Sequence, residues 1–96
     1  MNTTTPIVTA DDVAREGNIL VILPWDGRVG EIWDDGIHRK GPDYAEHLYG
    51  IAGLNGDPVP ERMYLLAPWA HIAQMYAWRG MDIRRAPEGA EPGDLV

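Results

Sequence analysis

RMYLLAPWAHIAQMYAWRGMDIRR, residues 62–85, is the stretch on which the fold turns. Arg62 to Ala67 carries Met63, Tyr64, Leu65 and Leu66 in one apolar run, the pattern of a buried strand. Pro68 suits the first turn of a helix, where its missing N–H is no loss, and Gly80 suits the stop. A helix over about 68–79 follows, with Trp69, Ile72, Met75 and Tyr76 at helical spacing as its core stripe and His71 on the flank. Met81-Asp82-Ile83-Arg84-Arg85 then alternates apolar and polar like an edge strand. Strand, helix and strand at this spacing predict a βαβ crossover, with a βα-hairpin return as the alternative because the last connection is short.

Upstream, Ile19-Leu20-Val21-Ile22-Leu23 is a second continuous apolar run, bounded by Gly17 and Pro24, and reads as another strand buried on both faces. Thr9 before Ala-Asp-Asp-Val-Ala-Arg-Glu is an N-cap with acids in the first turn, so a short helix precedes that strand and stops at Gly17. Pro24-Trp25-Asp26-Gly27 is a turn tetrapeptide. In a strand over 28–33, Val29, Glu31 and Trp33 share one face and Gly30 and Ile32 the other. Asp34-Asp35-Gly36 is a further turn signal, before a short strand over 37–40. Gly41-Pro42-Asp43 resembles a helix start, and Tyr44, Leu48 and Ile51 at helical spacing predict a helix that ends by Gly56. Asp57-Pro58-Val59-Pro60 is a stiff connector. The expected fold is thus a small single-domain α/β sheet of three to five strands with two main helices. Residues 1–8 form a flexible arm, 9–86 the domain and 87–96 an acidic flexible tail.

The chain has 96 residues, which by surface scaling suffices for one core and not for two. Its longest apolar run, Ile19 to Pro24, is far below the ~20 residues of a bilayer span, and residues 1–17 lack the pattern of a signal peptide. The expectation is a cytoplasmic protein (in a host's cytoplasm if phage-encoded) that does not contact a membrane. Eight Lys and Arg oppose 15 Asp and Glu, for a formal charge of −7. Ten acids against four bases fall in residues 1–57, two against four in 58–86, and three against none in the tail. Such acidity disfavours direct nucleic-acid binding, which needs a basic footprint, and steers towards a protein partner with a basic surface. The aromatic content is four Trp and four Tyr with no Phe, so every such ring carries a polar handle suited to a half-buried surface.

No serine and no cysteine occurs, which removes the commonest covalent nucleophiles and all thiolate metal sites. No cofactor fingerprint and no ladder of metal ligands is present. Asp43 and His47, four apart on the predicted helix, would share one face, with Asp34, Asp35 and His38 as neighbours. An exposed pair is the plainer reading of them than a metal site. The partner-binding surface is expected at Trp25, Asp26, Glu31, Trp33, Asp34 and Asp35, two tryptophans flanking a hairpin turn beside carboxylates. The leading functional expectation is a non-catalytic protein-binding module: an acidic adaptor, inhibitor or immunity-type protein. One alternative is a small enzyme or binding domain for an anionic small molecule, using Trp69, His71, Arg84 and Arg85 at a helix N-terminus. Another is a homo-oligomeric structural component of the virion type.

Overall fold

The computed structural model describes residues 6–25, 27–53 and 65–96. Helix α1 (Ala10–Glu16) leads into strand β1 (Asn18–Ile22), followed by β2 (Val29–Gly41), β3 (Tyr44–Gly53), β4 (Leu65–Ala67) and helix α2 (Trp69–Trp78). The four strands form one antiparallel sheet in the order β1-β2-β3-β4. A small α/β domain with two helices is therefore what these residues build.

Period-2 alternation sorts the sheet residues onto two faces. Ile19, Val21, Ile32, Tyr49, Ile51 and Ala67 share one face, where they join Val13 of α1 and Ile72 and Tyr76 of α2 in the core. The Tyr76 hydroxyl donates to the Ile22 carbonyl at 2.5 Å, which ties α2 to the far edge of the sheet and satisfies the one polar atom of a buried ring. Leu20, Glu31, Trp33, Gly50 and Ala52 lie on the opposite face.

Helix α1 forms as expected. Thr9 Oγ1 accepts from the Asp12 N–H at 3.2 Å, and Asp12 Oδ2 accepts from the Thr9 N–H at 2.9 Å, a reciprocal cap. Helix α2 matches the expected span to within a residue at each end. The crossover from β4 through α2 runs the full width of the sheet. Arg85 bridges Val21 of β1 antiparallel, so the segment after α2 lies at the opposite edge from β4 and parallel to it. Only isolated bridges form at Arg84 and Arg85, in place of a continuous strand over 81–85. Residues 62–64, expected to open β4, lie outside the described residues.

Two expectations are corrected. The predicted helix over 42–56 is strand β3 as far as Gly53. Residues 48–53 are buried on both faces, so no period of two survives in the sequence, and Tyr44, Leu48 and Ile51 mimic a helical stripe. Gly50 would also weaken a helix by about 1 kcal/mol. Asp34-Asp35-Gly36 is likewise no turn. It is a bulge inside a continuous β2, where the register slips between Asp34 and Gly36 and Gly36 takes a φ of 80°.

The ends of the chain lie close to the sheet. Val8 is buried and its N–H donates to the Ile83 carbonyl, so the core begins within the segment expected to be an arm. The tail, expected to be mobile, passes from β1, where the Ala86 N–H donates to Leu20 O, to the start of β2. There Gly93 donates to Val29 O, and Val29 donates to Asp94 O.

Gly50 is the tightest point of the sheet. A Cβ on it would lie 2.0 Å from Cε2 of Trp33, its partner across β2 and β3. Gly50→Ala is expected to cost about 1–3 kcal/mol in urea denaturation by overpacking. Most of that cost should disappear in a Trp33→Ala background, because the two residues share one space.

Candidate functional site

Among the described residues, β1 pairs with β2 only as far as Trp33, with the Asp34 N–H reaching Gly17 O just beyond, and β4 pairs with β3 only from Tyr49 onward. Residues 36–41 and 44–48 pair only with each other among the described residues, as a two-stranded ribbon closed by Pro42 and Asp43. Ile37 is 62% exposed and Tyr44 49% exposed on it. Six of the chain's charged side chains lie along this ribbon and its root: Asp34, Asp35, Arg39, Lys40, Asp43 and Glu46.

The root is clamped on both faces. On the face away from the helices, the indole of Trp33 lies across Gly50 and donates from Nε1 to Asp35 Oδ1 at 2.9 Å. Asp35 Oδ2 meets Nε2 of His38 at 2.7 Å. Glu31 stands two residues before Trp33 on the same face and accepts from the Asn18 amide. Glu31, Trp33 and Asp35 thus follow one another along one face, with Glu31 also at the wall of a cleft of about 330 Å³ that includes Glu16, Asn18, Leu20, Arg85 and Ala90.

On the helix face, Asp34 Oδ1 meets His47 Nε2 at 2.7 Å and accepts from the Gly36 N–H at 2.8 Å. The His47 ring stacks on Tyr49 with centroids 4.6 Å apart, and Tyr49 meets the edge of Trp69 at 5.2 Å. This chain of contacts runs from the bulge to the first residue of α2. It fixes the direction in which the ribbon leaves the sheet, since its members come from β2, β3 and α2.

The carboxyls at the root are held as anions. The hydrogen bond from His47, helped by the Gly36 N–H, pulls Asp34 below the ordinary aspartate value of 3.8. Trp33 Nε1, followed by His38, does the same for Asp35. Burial, with the charges of Asp34 and Asp11, pushes the Tyr49 hydroxyl upward. A histidine held by a carboxylate is also the pairing of an acid–base dyad, but here the imidazole lies on Tyr49 and the chain has no Ser or Cys for it to activate.

The structure divides the expected partner surface. Glu31, Trp33 and Asp35 come together on one face, and Asp34 turns to the other. Trp25 is elsewhere. It sits in the β1–β2 connection, half-buried against the core, beside Pro24, Met75, Trp78 and Arg79. Its separation from Trp33 includes four strand residues, or ~13 Å. The two tryptophans therefore do not flank one turn, because Trp25 is itself in the turn after β1 and Trp33 is well inside β2. Asp26 lies outside the described residues. Asp43 and His47 do not share a helix face, since Asp43 is in the ribbon's turn and His47 pairs with Asp34 across the strands.

The residues of the anionic-ligand alternative are not brought together. Trp69 and His71 follow β4 at one edge, and Arg84 and Arg85 lie beside β1 at the other. Arg85 is engaged by Glu16 through both guanidinium nitrogens, at 2.7 and 2.9 Å, and Arg84 by Asp82 at 2.9 Å. Among the described residues no group of three or more His, Asp or Glu is placed to hold a metal ion, and no helix is long and apolar enough to cross a membrane. The sequence reading passed over His38 and His47 as clamps and over Trp78, which is 71% exposed beside Trp25. Trp78 could have been found, because it falls outside the stripe of Trp69, Ile72, Met75 and Tyr76.

The depressed carboxyls set the sign of the acid response. Their contribution to stability is complete above the ordinary value of 3.8 and is lost as pH falls through the lower values of the folded protein. His47→Gln should move the Asp34 titration back towards 3.8, followed by carboxyl carbon shifts in NMR, while Asp35 stays depressed. Comparison of the chain with protein-family models, with curated proteins and with solved structures finds no match.

Proposed function

We propose that this protein is a non-catalytic protein-binding module, an acidic adaptor, inhibitor or immunity-type protein, whose docking element is the β2–β3 ribbon with its acidic root. The observation that carries this reading is the pairing pattern. A two-stranded ribbon is marginal in water on its own, yet residues 36–48 leave the sheet with Ile37 and Tyr44 exposed. Exposed apolar side chains on a projecting strand pair are a liability unless a partner covers them.

The root gives the partner its chemistry. Glu31 and Asp35 present carboxylates on one face and Asp34 on the other, all within five residues. Each is held in place by a neighbour, so little side-chain entropy remains to be lost when a cation binds. A lysine or arginine side chain of a protein partner fits this arrangement, with Trp33 as an apolar wall between Glu31 and Asp35. The net charge of −7 supplies long-range steering towards such a basic surface.

The test is a ¹⁵N NMR titration with an arginine-rich peptide and a glutamate-rich control. Amide signals of residues 31–48 should move with the basic peptide alone, and the shifts should shrink as salt rises. Glu31→Gln/Asp35→Asn should weaken binding by roughly tenfold, as expected for losing two charge-assisted contacts. Shifts confined to the tail or α1, or equal shifts with both peptides, would contradict the proposal.

A further inference from the structure

The ribbon that carries the acids also carries bases. Arg39 and Lys40 are exposed, and neither has an ion pair or hydrogen bond with the described residues. Arg15, Arg84 and Arg85, in contrast, are each paired with a carboxylate. The order along β2 is two acids, Asp34 and Asp35; then Gly36, Ile37 and His38; then two bases, Arg39 and Lys40. Read in the opposite direction, this pattern is its own complement.

The pleat preserves the complementarity on both faces. The pairs Asp34↔Tyr49, Ile37↔His47 and Arg39↔Ala45 lie on the helix face, so acid, isoleucine and base follow one another there. Asp35 with Trp33 and then His38↔Glu46 lie on the other face, and Lys40 follows at a second register shift, between Arg39 and Gly41. The bulge between Asp34 and Gly36 is what keeps one acid on each side.

The outer edge of β2 completes the argument. β1 begins at Asn18, opposite Trp33, and the Asp34 N–H is taken by Gly17 O. From Asp35 to Gly41 no described strand lies on that edge, where the Asp35 carbonyl is met by His38 Nε2 and register shifts flank the regular stretch from Gly36 to Arg39. A seven-residue edge paired antiparallel with itself has its twofold axis at the middle residue, His38. In that arrangement each Lys40 lies near Asp35 of the other copy, each Arg39 extends towards the other Asp34, and the two exposed Ile37 side chains approach across the axis.

We infer that the partner for which the ribbon is shaped is a second copy of this chain, joined edge to edge through residues 35–41 of β2. This inference rests on the ribbon being the docking element. A contact about 23 Å long buries less than the ~1,600 Å² of a standard interface, so the dimer is a weak one that forms at high protein concentration. Its salt bridges are exposed, so salt weakens them, while it also screens the repulsion between two copies that each carry −7.

Sedimentation equilibrium on the full chain, up to about 1 mM protein and at about 20 mM and 0.5 M salt, tests this. Wild type should show a monomer–dimer equilibrium at one or both salt concentrations. Arg39→Glu/Lys40→Glu places acids at both ends of the edge and should remain monomeric with an unchanged melting temperature, since neither side chain has a partner among the described residues. Mixing it with Asp35→Lys, which places bases at both ends, should restore a mixed dimer. Wild type that stays monomeric at both salt concentrations, or an Arg39→Glu/Lys40→Glu variant that dimerises as well as wild type, overturns the inference. If the monomeric wild type still binds the arginine-rich peptide through residues 31–48, only the second copy is wrong; if it does not, the docking role of the ribbon is lost with it.

Discussion

The indole of Trp33 occupies the space that a side chain on Gly50 would need, and the rest of the candidate site follows from that contact. Trp33 and Gly50 are directly paired across β2 and β3, at the last position where β1 still flanks β2. A large ring laid on bare backbone fixes the register of the two strands where they are about to leave the sheet. It also aims Nε1 at Asp35, which sets the carboxylate on one side of the bulge. One pair further along, Asp34, His47, Tyr49 and Trp69 form a second clamp on the opposite face. The ribbon beyond has neither kind of support and relies on its own ladder.

This arrangement separates stability from recognition. The core made by Val13, Ile19, Val21, Ile32, Ile51, Ile72 and Tyr76 lies on the helix face of the four-stranded part of the sheet. The ribbon contributes few buried contacts of its own, with exposed Ile37, Tyr44, Arg39 and Lys40. Substitutions there should alter association while leaving folding nearly unchanged, whereas substitutions at Trp33 or Gly50 alter both. Elements with low local stability are commonly the ones used for binding.

Much of the fold was legible. The apolar run at 19–23, the cap at Thr9 and the Pro68-to-Gly80 helix each carry a local signal that tertiary packing did not need to override. β3 was not legible, because burial on both faces erases alternation and the three residues that do recur are spaced like a helix. β2 was read as two strands because Asp-Asp-Gly has the composition of a turn, and only the partner strand shows that Gly36 serves a bulge. The site shows the same limit. Alternation placed Glu31 and Trp33 on one face, but the clamps on Asp34 and Trp33 join residues 13 and 17 apart in sequence. Contacts at that distance leave no mark in a local pattern.

The packing of Trp33 on Gly50 can be measured directly in solution. In an assigned NMR spectrum, the Gly50 α-protons should be moved well upfield by the ring current and should show strong cross-relaxation to the Trp33 indole ring protons. The Trp33 Nε1 proton should exchange slowly for a half-buried indole, because Asp35 holds it. Gly50 α-protons at ordinary strand shifts, with no contact to the Trp33 ring, would contradict the clamp and with it the geometry of the ribbon's root.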